Sequence, residues 1–146
     1  MATELYAVTV CALISRGDSW LLVVRAPGVE YAPNRIGMIG GHVDVTHPVA
    51  DVLETTARRE VAEEVGLDLA GVRLEYLESE FFITDGGERQ ITVTFTAHAP
   101  PGVEPFVNAP DELTEVGWWT LGDLVADPRC PSWLPPLIRR ARRYMP

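Results

Sequence analysis

Lysine is missing from this 146-residue chain, and all twelve of its lysine-or-arginine positions are arginine. That excludes a Schiff-base lysine and the lysine of a phosphate-binding P-loop. Cysteine is nearly missing too. The two present are Cys11, in an apolar strand-like run, and Cys130, in a proline-flanked loop. Two such cysteines exclude a disulfide framework, and free thiols are expected. No apolar run approaches the ~20 residues of a membrane span, and Met1-Ala2-Thr3-Glu4 lacks the basic start of a secretory leader. A cytoplasmic protein with no membrane partner is expected. Positive charge is scarce as well: 12 basic against 21 acidic residues leave a net charge of −9. A chain so charged does not hold polymeric nucleic acid by electrostatics. If its substrate is an anion, metal ions have to supply the missing positive charge. The hydrophobic fraction of 47% is that of a globular protein, and the length predicts one domain over residues 1–146.

The local patterns alternate between short strands and a few helices. Leu5–Ile14 and Trp20–Val24 read as strands, joined by a turn at Arg16-Gly17-Asp18. Ala26–Arg35, with Pro27, Gly28, Pro33 and Asn34, reads as a loop, and Ile36–Ile39 as a short strand running into Gly40-Gly41. Pro48 suits the first turn of a helix capped by Thr46 or His47 and running to about Val65. Val72–Thr84 and Arg89–His98 form a hairpin across Asp85-Gly86-Gly87-Glu88. In its second strand Ile91, Val93 and Phe95 alternate with threonines, so one buried face is expected. Val116–Trp119 is a further strand, Thr120–Leu124 a short helical turn, and Trp133–Tyr144 a basic amphipathic helix. The mixture is an α/β layered domain.

The chemistry concentrates in Arg58-Arg59-Glu60-Val61-Ala62-Glu63-Glu64-Val65-Gly66-Leu67. On a helix Glu60, Glu63 and Glu64 share one face. Gly66 is the natural residue to end that helix, so the three acids crowd its negative dipole end, at a cost of about 0.3–1 kcal/mol each. A merely structural helix would carry arginine there. A divalent cation on that face accounts for the acids, because Mg²⁺ takes carboxylate oxygens and bridges them to substrate phosphates.

Those residues resemble the Nudix box, G-x5-E-x7-R-E-U-x-E-E-x-G-U, where U is a bulky aliphatic. Arg59, Glu60, Val61, Glu63, Glu64, Gly66 and Leu67 match its second half, and Gly40-Gly41-His42-Val43-Asp44 resembles its first turn. Two departures stand out. Asp51 occupies the place of the family's first Glu, and the spacing from Gly41 to Asp51 is longer by about one helical turn, which reads as an insertion within Val45–Ala50. If the helix begins later, Glu54 rather than Asp51 is the partner of Arg59.

The resemblance implies a Nudix-type αβα sandwich with a mixed β-sheet. It further implies hydrolysis of a diphosphate bond in a nucleotide or nucleotide derivative by activated water, with Mg²⁺ or Mn²⁺ as cofactor. It makes Glu60 and Glu64 the main metal ligands, with Glu63 and the Gly40 carbonyl contributing, and Arg59 the residue that holds the carboxylates. Among Asp111, Glu112 and Glu115, in the loop before Val116, Glu112 and Glu115 are the leading candidates for a general base or a further metal ligand. Arg25 and Arg35 are candidates for substrate phosphates, and Tyr31, Phe106 and Trp118 for stacking on a base. One ring of Trp118 and Trp119 is expected in the core. His42 and His47 are expected as non-ligands. The expected partner is a small-molecule nucleotide, with a homodimer as the one assembly left open. A non-catalytic module sensing ADP-ribose is the rival reading, and a metal-dependent isomerase of a diphosphate is a third.

Overall fold

The computed structural model describes residues 2–145. β1 (Ala7–Arg16) is the centre of a seven-stranded mixed sheet. Along one edge it runs parallel to β6 (Arg89–His98), from Ala7 to Ser15. Its other edge is shared by two antiparallel partners in succession. β4 (Ile39–His42) pairs with Thr9–Ala12, and β2 (Ser19–Arg25) with Ile14–Arg16. β2 pairs antiparallel with β7 (Leu113–Thr120) from Ser19 to Arg25, and beyond Leu21 it leaves β1 and pairs with β3 (Ile36–Gly37) at Val23 and Val24. The sheet therefore splits beside β1, and the glycine-rich strand β4 lies in the split. The single strand expected over Ile36–Ile39 is two, β3 and β4, because the chain crosses from β2 to β1 at Met38.

Both faces of the sheet are covered, which is why β1 and β2 read as near-continuous apolar runs. On one face, α1 (Val52–Val65) sets Val61 and Val65 against Ile14, Leu21, Val23 and Ile39. On the other, α2 (Leu121–Ala126) and α3 (Leu134–Tyr144) set Leu124, Leu134 and Ile138 against Leu13, Leu22 and Val24. Each such fully buried side chain is worth roughly 1.5–3 kcal/mol. α2 starts at Thr120, whose hydroxyl accepts the Asp123 N–H. α3 ends with Arg142 and Arg143 in its last turn, where cations suit the dipole. Cys11 and Cys130 are free thiols.

Three details differ from the sequence reading. α1 begins at Val52, so Pro48 lies in a loop and neither Thr46 nor His47 caps the helix. Proline's fixed φ suits an extended loop as well as a first helical turn, and the path from β4 to α1 selects the loop. Asp51 precedes α1 in the left-handed region (φ 52°), and its side chain makes no capping bond. β6 is buried on both faces at its C-terminal end, with Thr94 and Thr96 enclosed as fully as Val93 and Phe95. Alternation predicted one buried face, but β6 lies between β1 and β5 (Glu75–Ile83) in a sheet covered by helices on both sides. β5 is the sheet's edge, and Phe81 and Ile83 are exposed on it.

Candidate metal and catalytic site

The split in the sheet brings the glycine pair against the last turns of α1. Gly40 N–H donates to Glu64 Oε2 at 3.3 Å. A Cβ on Gly41 would stand 2.3 Å from Glu60 Cδ, so the carboxyl of Glu60 occupies the space a side chain would need. A Cβ on Gly40 would stand 2.5 Å from the Val10 carbonyl and 2.8 Å from Cys11 Sγ. Neither glycine is demanded by a left-handed φ; both are demanded by close approach.

Arg59 binds this arrangement together. Its Nη1 lies 3.0 Å from Glu60 Oε1 and 3.3 Å from Glu63 Oε2, and its Nη2 donates to the His42 carbonyl at 3.0 Å. One guanidinium thus ties α1 to the end of β4. Glu63 is more than half exposed and turned to Arg59, whereas Glu64 is buried at 6% relative exposure. Burial, then the neighbouring Glu60, push the Glu64 carboxyl up to about 8. Burial also holds Glu60 above the ordinary carboxylate range, with Arg59 opposing. Two desolvated acids side by side disfavour their own ionisation.

That donor set fits a hard divalent cation, which would restore both ionisations. Among the described residues no three His, Cys, Asp or Glu side chains converge as a closed cage. Glu60 and Glu64, packed against the Gly40–Gly41 turn, are the groups that fit. A site of this kind is completed by water and substrate phosphates, in the manner usual for Mg²⁺.

The C-terminus of α1 has no basic residue in its last turn. Its carbonyls are satisfied instead by the loop between β6 and β7. Phe106 N–H donates to Val65 O at 3.0 Å, Asn108 N–H to Glu64 O at 2.9 Å, and Asn108 Nδ2 to Ala62 O at 3.3 Å. Gly66 ends the helix at φ 71°, and any Cβ there would strike the Phe106 ring. Phe106 is therefore seated over the helix end. Asn108 carries no signal in the sequence, because an asparagine in a proline-bounded loop is unremarkable until its neighbours are known.

The two loop acids part company. Glu112 stands close enough to raise both Glu60 and Glu64, and its carbonyl accepts the Ala26 N–H at 2.8 Å. Glu115 does not join them. Val116 and Trp118 face α1, so Glu115 faces the other side of β7, where its carboxylate meets Arg129 Nη1 at 3.0 Å. The two arginines separate in the same way. Arg25 stands near enough to favour the charged form of Glu64, and its Nε donates to the Tyr31 carbonyl at 2.7 Å. Arg35 points toward the Pro128 carbonyl, between α2 and α3. Trp119 is the core ring; Trp118 is half-buried beneath Arg16, 4.1 Å from its centroid. At His42 the backbone carbonyl, not the imidazole, serves the site.

Neither Asp51 nor Glu54 is a hydrogen-bond or ion-pair partner of Arg59, which is held by Glu60, Glu63 and the His42 carbonyl. Asp51→Ala and Glu54→Gln are each expected to leave kcat/KM within about twofold, whereas Arg59→Ala should lower it by about tenfold or more. A large loss in either acid variant alone would identify a brace that forms only with substrate present.

The family model for the NUDIX domain matches residues 5–141. The chain is 30% identical over 142 residues to an NAD-capped RNA hydrolase, NudC, of Deinococcus radiodurans, covering 95% of this chain and 44% of that protein. It thus spans less than half the length of that relative. An isopentenyl-diphosphate Delta-isomerase of Rhodobacter capsulatus is 27% identical over 145 residues, covering 92% of this chain and 78% of the isomerase. Among solved structures, a MutT NUDIX hydrolase from Burkholderia pseudomallei superposes with a TM-score of 0.72 at 29% identity, covering 94% of this chain and 98% of that one.

Proposed function

We propose that this chain, which belongs to the NUDIX domain family, is a pyrophosphohydrolase that cleaves a diphosphate bond in a nucleotide derivative with the help of Mg²⁺ or Mn²⁺. The observation that carries the reading is the convergence of Glu60 and Glu64 on the Gly40–Gly41 turn, with Arg59 fastening that turn to the helix. In a helix with no other use for them, a buried Glu64 and a half-buried Glu60 at the negative end cost stability.

In this mechanism Glu60, Glu64 and the Gly40 carbonyl would hold the metal, and Arg59 keeps Glu60 in place. The bound cation supplies positive charge to the phosphate oxygens and makes water a better nucleophile at neutral pH. Glu112 takes the proton of the attacking water. The water oxygen bonds to one phosphorus, the anhydride P–O bond breaks toward the other, and the two phosphate-bearing halves leave. Arg25 contacts the phosphates and Tyr31 lies beside them. The reading takes the protein as a one-domain cytoplasmic enzyme. Among the described residues no helix is long and apolar enough to cross a membrane.

The test is turnover of a nucleotide panel with Mg²⁺, with Mn²⁺ and with EDTA, followed as phosphomonoester release. Activity that EDTA abolishes and either metal restores is expected; equal turnover in EDTA sinks the mechanism. Tight binding of ADP-ribose without turnover in either metal would favour a sensing module instead. Release of a rearranged diphosphate with no phosphomonoester would favour an isomerase.

A further inference from the structure

A helix leaves its last carbonyls without partners of its own. In α1 the Gly66 N–H takes the Ala62 carbonyl at 3.1 Å, and the carbonyls of Glu64 and Val65 point out of the helix end. A basic side chain often meets such an end, but the last turn of α1 has none. Glu63 and Glu64 stand in that turn, and a guanidinium among them would pair with carboxylates that a metal needs. N–H groups of the loop between β6 and β7 take its place. Asn108 supplies two of them, its backbone N–H to Glu64 O at 2.9 Å and its Nδ2 to Ala62 O at 3.3 Å. It meets the helix end as a donor without a charge.

The same residue leads into the turn that carries Glu112. The carbonyl of its neighbour Ala109 accepts the N–H of Glu112 and the N–H of Leu113, each at 2.9 Å. The Glu112 carbonyl in turn accepts the Ala26 N–H at 2.8 Å. A short path therefore joins the two acids: Glu64 O to the Asn108 N–H, one peptide bond to Ala109, and Ala109 O to the Glu112 N–H. Beyond the turn, Leu113 is buried at the start of β7. Glu112 is thus fixed from α1, from β2 and from β7, and Asn108 is the fixture on the α1 side. Asn108 is exposed and belongs to none of the hydrophobic clusters. Its side chain acts through its bond to Ala62 and not through packing.

Placement matters because a general base has to lie within hydrogen-bond reach of the proton it takes. A displacement of about 1 Å can cost 10²-fold in rate.

Resting on the pyrophosphohydrolase reading, we infer that Asn108 is a positioning residue for the reaction: it clamps its loop to the carbonyl end of α1 and so sets the Glu112 carboxylate against the Glu60–Glu64 pair.

Asn108→Ala removes the side-chain bond and keeps the backbone one. On a panel nucleotide that the wild type turns over, its kcat should fall about tenfold, with KM held within about twofold. Its Mn²⁺ affinity without substrate, read by electron paramagnetic resonance, should also stay within about twofold, because the metal ligands are untouched. Asn108→Asp keeps the shape, loses the donor and puts an anion at the negative helix end, so it should lose more kcat than Asn108→Ala. The side chain is exposed, and both variants should fold.

The decisive measurement is the cycle with Glu112→Gln. If Asn108 acts by placing Glu112, the double variant should have the kcat of Glu112→Gln alone to within about twofold, whereas independent effects would lower it about tenfold further. Multiplied losses overturn the inference and leave the pyrophosphohydrolase reading in place. So does wild-type kcat in both Asn108 variants, and so does a loss of Mn²⁺ affinity that matches the loss of kcat. An unchanged kcat in Glu112→Gln overturns the inference together with the choice of Glu112 as base, with metal-dependent hydrolysis still standing. Absence of wild-type turnover on the whole nucleotide panel overturns the hydrolase reading and the inference with it.

Discussion

Glu64→Gln is expected to lower kcat by about 10²-fold or more while leaving the fold intact. Gln keeps the shape of Glu64 and its contact with the Gly40 N–H, but it removes the more buried of the two candidate ligand charges. Losing one preorganised electrostatic group of this kind typically costs a few kcal/mol of transition-state stabilisation. KM should change less than kcat if the charge acts on the reaction rather than on substrate binding.

The same substitution makes a stability prediction with a definite sign. In the metal-free protein the Glu64 carboxyl is pushed up to about 8 by burial and by Glu60, against about 4.3 in an unfolded chain. The folded state thus binds more protons than the unfolded state between these values. Stability contributed by this group is full below about pH 4 and is lost as pH rises through about 8. Gln at position 64 abolishes that loss. The Tm of metal-free Glu64→Gln should match wild type near pH 4.5 and exceed it by several degrees, about 4 °C or more, at pH 8. Wild-type turnover in this variant would show that the wrong helix face was assigned. Equal Tm values at pH 8 would show that Glu64 is not desolvated.

The second large effect separates two adjacent glycines. Gly41→Ala places a methyl group where the Glu60 carboxyl lies. The atom displaced is the far end of a flexible side chain, so the fold should survive with a Tm change of at most a few degrees, while kcat falls by about 10²-fold. Mn²⁺ binding without substrate, followed by electron paramagnetic resonance, should weaken in parallel. Gly40→Ala instead drives a methyl group toward the Val10 carbonyl and Cys11 Sγ in the core of the sheet. That variant should lose stability by about 1–3 kcal/mol or fail to accumulate. If Gly41→Ala binds Mn²⁺ like wild type and turns over normally, Glu60 has another rotamer that serves equally well, and the tight approach at Gly41 is incidental.

What was legible in the sequence is whatever depends on short spacing. Glu60, Glu63 and Glu64 share a helix face because 3.6 residues make a turn, and Gly66 ends that helix because a left-handed φ is open to glycine. The layered α/β class, the hairpin of β5 and β6, and the free thiols also follow from local pattern and composition. The start of α1 was not legible, because Pro48 satisfies a loop and a helix equally well.

Tertiary structure alone decided which distant residues meet. Glu112 and Glu115 are three positions apart and chemically alike, yet the turn before β7 sets one near the carboxylate pair while β7 carries the other to Arg129. Arg25 and Arg35 are separated in the same way by the turn of a strained loop. Arg59 meets Glu60 and Glu63 of its own helix, as the spacing allowed, but its further brace is the backbone of His42 and not Asp51 or Glu54, brought near only because β4 enters the split beside β1. Asn108 reaches the end of α1 from more than forty residues away. Periodicity fixes which side chains share a face, since it is a property of neighbouring residues. Which face meets which is set by the closing of the sheet around β1, a property of the whole chain.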